Sequence, residues 1–211
     1  MESLKPFEVI SQKIEGIFLE KSPYTWVHSL NVSRIASIIA KDLDLDEEDI
    51  KIVEIGGLLH DIGKIHIPTR ILNKPSRLTE EEYLIIKSHP VLGLKEFKRI
   101  MPSPILQKVL QIVLFHHERY DGNGYSFNLR EEEIPLLSRI VSVADVIDAI
   151  YGIRPYKNSF SKKEVINELE NAKHTQLDSS IVDIALLNID EILEGYNSNH
   201  YNQNILISII G

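Results

Sequence analysis

Apolar side chains recur at intervals of three and four along almost the whole chain, and sustained alternation is missing. Val27, Leu30, Ile35, Ile38 and Ile39 form one such stripe, and Val109, Leu110, Val113 and Leu114 form another. That period belongs to helices with one buried face. It predicts helices over about 6–20, 23–42, 47–60, 79–88, 90–100, 103–117, 134–151, 162–173 and 179–194, and so an all-α bundle of about seven to nine helices. Two helix starts carry capping boxes, Thr79 with Glu82 and Ser161 with Glu164, in which hydroxyl and carboxyl each satisfy an unpaired backbone N–H. The acidic run DLDLDEED at 42–49 reads as a solvated loop and helix start, where carboxylates suit the helix dipole. The Asn-rich segment GYNSNHYNQN at 195–204 reads as a polar linker. It leads to the apolar tail ILISIIG, which is expected to dock on the chain's own core or on a partner.

Composition narrows the picture. A chain of 211 residues with 43% hydrophobic and 26% charged residues predicts a single folded domain over 1–211. The net charge of -8 argues against binding a nucleic acid polymer, so an anionic substrate must meet a locally basic pocket. No cysteine is present, which excludes disulfides and thiolate metal sites. The first residues lack the basic start and apolar stretch of a secretion signal, and no apolar run approaches the roughly 20 residues of a membrane span. A soluble, cytoplasmic protein with no membrane partner is expected.

The chemistry is carried by histidines in context. His60 and Asp61 end an apolar helix in GGLLHDIGKIHIP, where adjacent side chains about 100° apart can turn toward one point. His89 precedes Pro90, which forbids an unbroken helix through it. His116 and His117 end another apolar helix just before the turn Gly122-Asn123-Gly124, whose glycines would let backbone approach a ligand without side-chain clash. Imidazoles and carboxylates without thiolate suit iron or manganese. His66, His174 and His200 have no such context and are expected at the surface.

His28 with VSRIA, then LLHDIGK, ILNKPSRLTEEE, SHPVLG, HHERYDGNGY, IPLLSRIVSVADVIDAI and RPYKNSFS, in that order, resemble the HD-GYP family of HD-domain metal-dependent phosphohydrolases over roughly residues 20–185. The resemblance implies a helical bundle around two divalent metal ions, and hydrolysis of cyclic di-GMP to the linear dinucleotide or to GMP by a hydroxide bridging the ions. Matched position by position, His28, His60, Asp61 and Asp145 would hold one ion, while Asp61 would bridge to a second on His89, His116 and His117. Lys64 would face the scissile phosphate, Arg154 and Lys157 would hold a phosphate, and Tyr125 and Asp148 would stand beside the substrate. Pro155 favours an extended Arg154, which presents its guanidinium.

Two positions depart from the family. Ser126 stands where proline is usual and is expected to loosen the loop after Tyr125. Tyr24 stands where members with three ions carry glutamate, so a third ion is not expected. The resemblance leaves open another cyclic dinucleotide or phosphoester as substrate. It also leaves open a dinucleotide-binding signalling module, and a second copy of the chain or a signalling protein as partner. No receiver or sensor domain is expected before residue 20.

Overall fold

The computed structural model describes residues 5–98, 102–152 and 161–198. Two long helices begin it, α1 (Lys5–Lys21) and α2 (Pro23–Asp42), followed by α3 (Glu47–Leu59). A 3-10 turn (Ile62–His66), the short α4 (Thr69–Leu72), α5 (Glu80–Lys87) and α6 (His89–Gly93) come next. Then follow α7 (Pro104–Phe115), α8 (Leu136–Tyr151), α9 (Lys162–Ala172), α10 (Ser179–Leu187) and α11 (Ile189–Ser198). The described residues form no strands beyond one isolated bridge, Lys173 with Leu177.

α2 is the central rod because the chain gives it apolar or small residues on nearly every side. Val32, Ile35, Ala36, Ile39 and Ala40 are fully buried, and α3, α8 and α1 pack around it. Ile140, Val141, Ile147 on α8 and Val109, Ile112, Val113 on α7 complete the core. Each such side chain contributes about 1.5–3 kcal/mol of burial.

α5 buries no residue at all and relies on its start, where Thr79 accepts from the Glu82 N–H and the Glu82 carboxylate accepts from the Thr79 N–H. The box at Ser161 and Glu164 forms likewise. The acidic run behaves as read: Asp46 caps α3 by accepting from Asp49 N–H at 2.7 Å.

Three expectations are corrected. The helix expected over 90–100 is α6 followed by a 3-10 turn, Leu94–Phe97, which brings Phe97 into the core. The helix expected over 179–194 breaks at Asn188, whose side-chain amide donates to the Ile184 carbonyl at 2.9 Å and to Asp42 at 2.6 Å, competing with the backbone ladder. Residues 195–198, read as linker, continue α11 because Tyr196 finds buried partners. The apolar tail and His200 lie outside the described residues.

Candidate metal centre

Five elements deliver polar side chains to one buried point. His28 comes from the middle of α2, His60 and Asp61 from the end of α3, and His89 from the first turn of α6. His116 and His117 end α7, and Asp145 projects from α8. Asp61 is the hub. Its Oδ2 lies 3.4 Å from His60 Nε2 and 3.8 Å from His28 Nε2, and its Oδ1 lies 3.1 Å from His89 Nε2 and 3.9 Å from His116 Nε2. Asp145 joins through His28, with Oδ1 at 3.0 Å from Nε2. The possible ligand atoms fall into two groups sharing Asp61: His28 and His60 on one side, His89, His116 and His117 on the other.

The local backbone explains how the halves meet. Gly63, just past Asp61, lies so close to α6 that an added Cβ would be 1.9 Å from the His89 carbonyl oxygen. Only glycine permits that approach, which brings His89 up to Asp61. Ser142, one turn before Asp145, donates to the His116 carbonyl at 2.6 Å and ties α8 to the end of α7.

The tautomers are assigned from the hydrogen bonds. His60 Nδ1 lies 2.7 Å from the Gly57 carbonyl, His89 Nδ1 2.8 Å from that of Ile86, and His116 Nδ1 3.1 Å from that of Val113. Carbonyls only accept, so these nitrogens carry the hydrogen and each Nε2 keeps a bare lone pair, the usual arrangement of a metal-binding histidine. His60 Nε2 and Asp61 Oδ1 are buried without a hydrogen-bond partner, and His89 Nε2 faces His116 Nε2 at 3.3 Å. Facing lone pairs repel, and an unsatisfied buried acceptor is costly. A cation among them relieves both, so the residues fit the group.

Charge agrees. Burial, reinforced by neighbouring imidazoles, pushes His116 well below the ordinary histidine range and His117 down to about 3, leaving both neutral. Burial opposes the charge on Asp61, yet the Lys64 ammonium beside it holds its carboxyl well below the usual range. Burial likewise opposes a proton on His28, but the carboxylates of Asp145 and Asp148 outweigh it and raise that histidine to about 10.

Two lobes of a cleft open over the site. One, of about 570 Å³, is lined by Tyr24, Thr25, Asn73 and Lys74; the other, of about 380 Å³, by Tyr83, Arg119, Tyr125 and Gln176. Lys64, His117 and Asp145 line both. The local basic character expected of the pocket comes from Lys64, Lys74 and Arg119, each paired with a carboxylate.

Of the residues expected at the substrate, Lys64 sits between the lobes with its ammonium 2.5 Å from Asp61 Oδ2. Tyr125 stacks on His117 at 4.8 Å between centroids, with Lys87 Nζ 5.0 Å above the ring. Asp148 departs from expectation. It is buried behind His28, lines neither lobe, and has both oxygens engaged. Arg154 and Lys157 lie outside the described residues.

The glycine turn also needs correction. Gly124 packs on the chain's own backbone, where a Cβ would fall 2.4 Å from Arg119 N, so its smallness serves the loop. Glu118, overlooked in the sequence, is buried and staples that loop by accepting from Phe127 N–H at 2.7 Å and Leu129 N–H at 3.1 Å. Of the remaining histidines, His66 is exposed against Glu96 and His174 is exposed in a turn.

The family described as HD domain matches residues 10–181. A cyclic di-GMP phosphodiesterase of Thermotoga maritima is 40% identical over 169 residues, 80% of this chain and 46% of that protein. The 3'3'-cGAMP-specific phosphodiesterase 1 of Vibrio cholerae is 38% identical over 180 residues, 85% of this chain and 41% of that protein. The chain thus spans less than half the length of these curated relatives. The crystal structure of a cyclic GMP-AMP-specific phosphodiesterase of Vibrio cholerae superposes with a TM-score of 0.67 at 18% identity, covering 95% of this chain and 53% of that one, a likeness of fold.

Proposed function

The chain belongs to the HD domain family, and from that premise we propose that it is a metal-dependent phosphodiesterase of the HD-GYP group that hydrolyses cyclic di-GMP to the linear dinucleotide or to GMP. The observation that carries the reading is the convergence of bare Nε2 lone pairs on one ionised, buried carboxylate, Asp61.

Two divalent cations, iron or manganese, bound by His28, His60, Asp61, Asp145, His89, His116 and His117 would supply Lewis-acid chemistry for opening a phosphodiester. The chain's own residues hold His116 and His117 neutral and Asp61 and Asp145 anionic in a buried place. Lys64, at the junction of the lobes, presents an ammonium to the scissile phosphate and is aimed by Asp61. Burial raises the Tyr125 phenol above its ordinary value, so it stays protonated and offers a donor and a ring face. Arg154 and Lys157 are assigned to a phosphate from the motif RPYK. A cleft whose two lobes meet over the ligands suits a substrate with a nucleoside on each side of the reacting phosphodiester.

The test is turnover by the purified chain loaded with iron(II) or manganese(II) under reducing conditions, with products separated by chromatography. Absence of linear dinucleotide and GMP would reject the proposal. A hybrid cyclic dinucleotide is the second reading, favoured by the 38% identity to the 3'3'-cGAMP-specific relative. A substrate panel decides, since only this reading expects the hybrid to be turned over faster.

A further inference from the structure

Asp148 gathers three donors. His28 Nδ1 lies 2.6 Å from its Oδ2, while Asn31 Nδ2 at 2.8 Å and the Tyr196 hydroxyl at 2.7 Å both donate to its Oδ1. The carboxylate therefore does for His28 what backbone carbonyls do for His60, His89 and His116. A carbonyl is fixed by its helix. A side-chain carboxylate turns about its own bonds and is only as fixed as its partners make it.

One partner comes from α11, beyond residue 181, where the family match ends. Tyr196 is itself clamped. The Arg34 guanidinium lies over its ring at 5.5 Å while donating to the Ile192 carbonyl at 2.7 Å, and Tyr151 meets it edge-on at 4.9 Å. The next residue back is glycine, where a Cβ would lie 2.1 Å from Arg34 Nη1.

We propose that α11 is a positioning element of the metal centre: through Tyr196 and Asp148 it fixes the ring of His28, and so sets the affinity of the cation on His28, His60 and Asp145 apart from that on His89, His116 and His117. The inference rests on the metal-pair reading above. Loss of an outer partner of a ligating histidine typically weakens metal affinity 10–100-fold. Tyr196→Phe removes one of two donors on Oδ1 and leaves Asn31, so a loss near tenfold is expected. Asp148→Asn is expected to lose more, because an amide turned toward His28 would favour the tautomer whose Nε2 carries hydrogen and cannot ligate.

The experiment is manganese(II) binding to the full chain by equilibrium dialysis, with electron paramagnetic resonance to separate paired from single ions. Wild type should take up a coupled pair. Tyr196→Phe should keep one ion at unchanged affinity and hold the other about tenfold more weakly, giving an isolated-ion signal at concentrations that load wild type fully. The metal-free variant should melt within about 5 °C of wild type. Asp148→Asn should show the same selective loss, larger. Equal affinities in Tyr196→Phe and wild type, parallel loss of both ions, or loss of the folded state would each overturn the proposal. In the last case the hydroxyl serves stability and not the site. A wild-type chain that takes up no pair would overturn the metal reading itself, and this inference with it.

Discussion

Glu118→Gln is a nearly isosteric change with a large expected cost. Each carboxylate oxygen of Glu118 accepts one backbone N–H, from Phe127 and from Leu129, in a site where only 3% of the residue is exposed. Glutamine keeps the shape but offers one acceptor. Its NH2 group must face the other backbone N–H, donor against donor. A hydrogen bond to a charged group contributes about 1.5–3 kcal/mol, so one bond lost and one weakened amounts to about 3 kcal/mol. For a domain of this size each kcal/mol lowers the melting temperature by about 2–4 °C, which places the expected fall at roughly 6–12 °C. The loop held by Glu118 carries Tyr125, which stacks on His117, so the same variant should raise KM more than it lowers kcat. Thermal unfolding of the metal-free chain reads the first effect and steady-state kinetics the second. A melting temperature within about 2 °C of wild type would refute the reasoning, because the staple would then contribute nothing.

Three further outcomes follow from the geometry. Gly63→Ala should cost about 3 kcal/mol, since its methyl would press on the His89 carbonyl and push α6 from Asp61; a melting temperature equal to wild type would contradict this. Asp61→Asn should abolish uptake of both ions, as measured by elemental analysis of the loaded protein, because both ligand groups share this carboxylate; a chain retaining two ions would contradict it. Asp178 opposes burial through hydrogen bonds from Ser180 and Arg139 that hold its carboxyl below 3.8. A depressed folded-state value stabilises above the unfolded value near 3.8 and is lost as pH falls below it. Asp178→Asn should therefore flatten the loss of stability below about pH 4 in denaturant titrations, and parallel curves would contradict this.

Much was legible because it is local. Helical period, the capping boxes at Thr79 and Ser161, and the placement of His60, His89 and His116 at helix ends all depend on residues within a few positions of one another. The order of the motif blocks identified the family for the same reason. Boundaries failed where one side chain competed with the backbone, as Asn188 does between α10 and α11.

What only the tertiary structure decided concerns which way a group faces and what lies across from it. Asp148 and Asp145 share a helix face within one turn, yet Asp145 looks into the cleft and Asp148 toward Asn31 and Tyr196. No short-range pattern distinguishes them, because the distinction is made by α2 and by α11, 117 and 48 residues away in sequence. Gly124 reads as a turn residue and Gly63 carries no reading of its own, and only packing shows that both are small to admit other stretches of backbone. The sequence alone thus determined the helices, the ligand-bearing segments and the family. Folding decided how those segments meet, since a contact between distant residues is set by how the whole core packs and leaves no mark in either stretch alone.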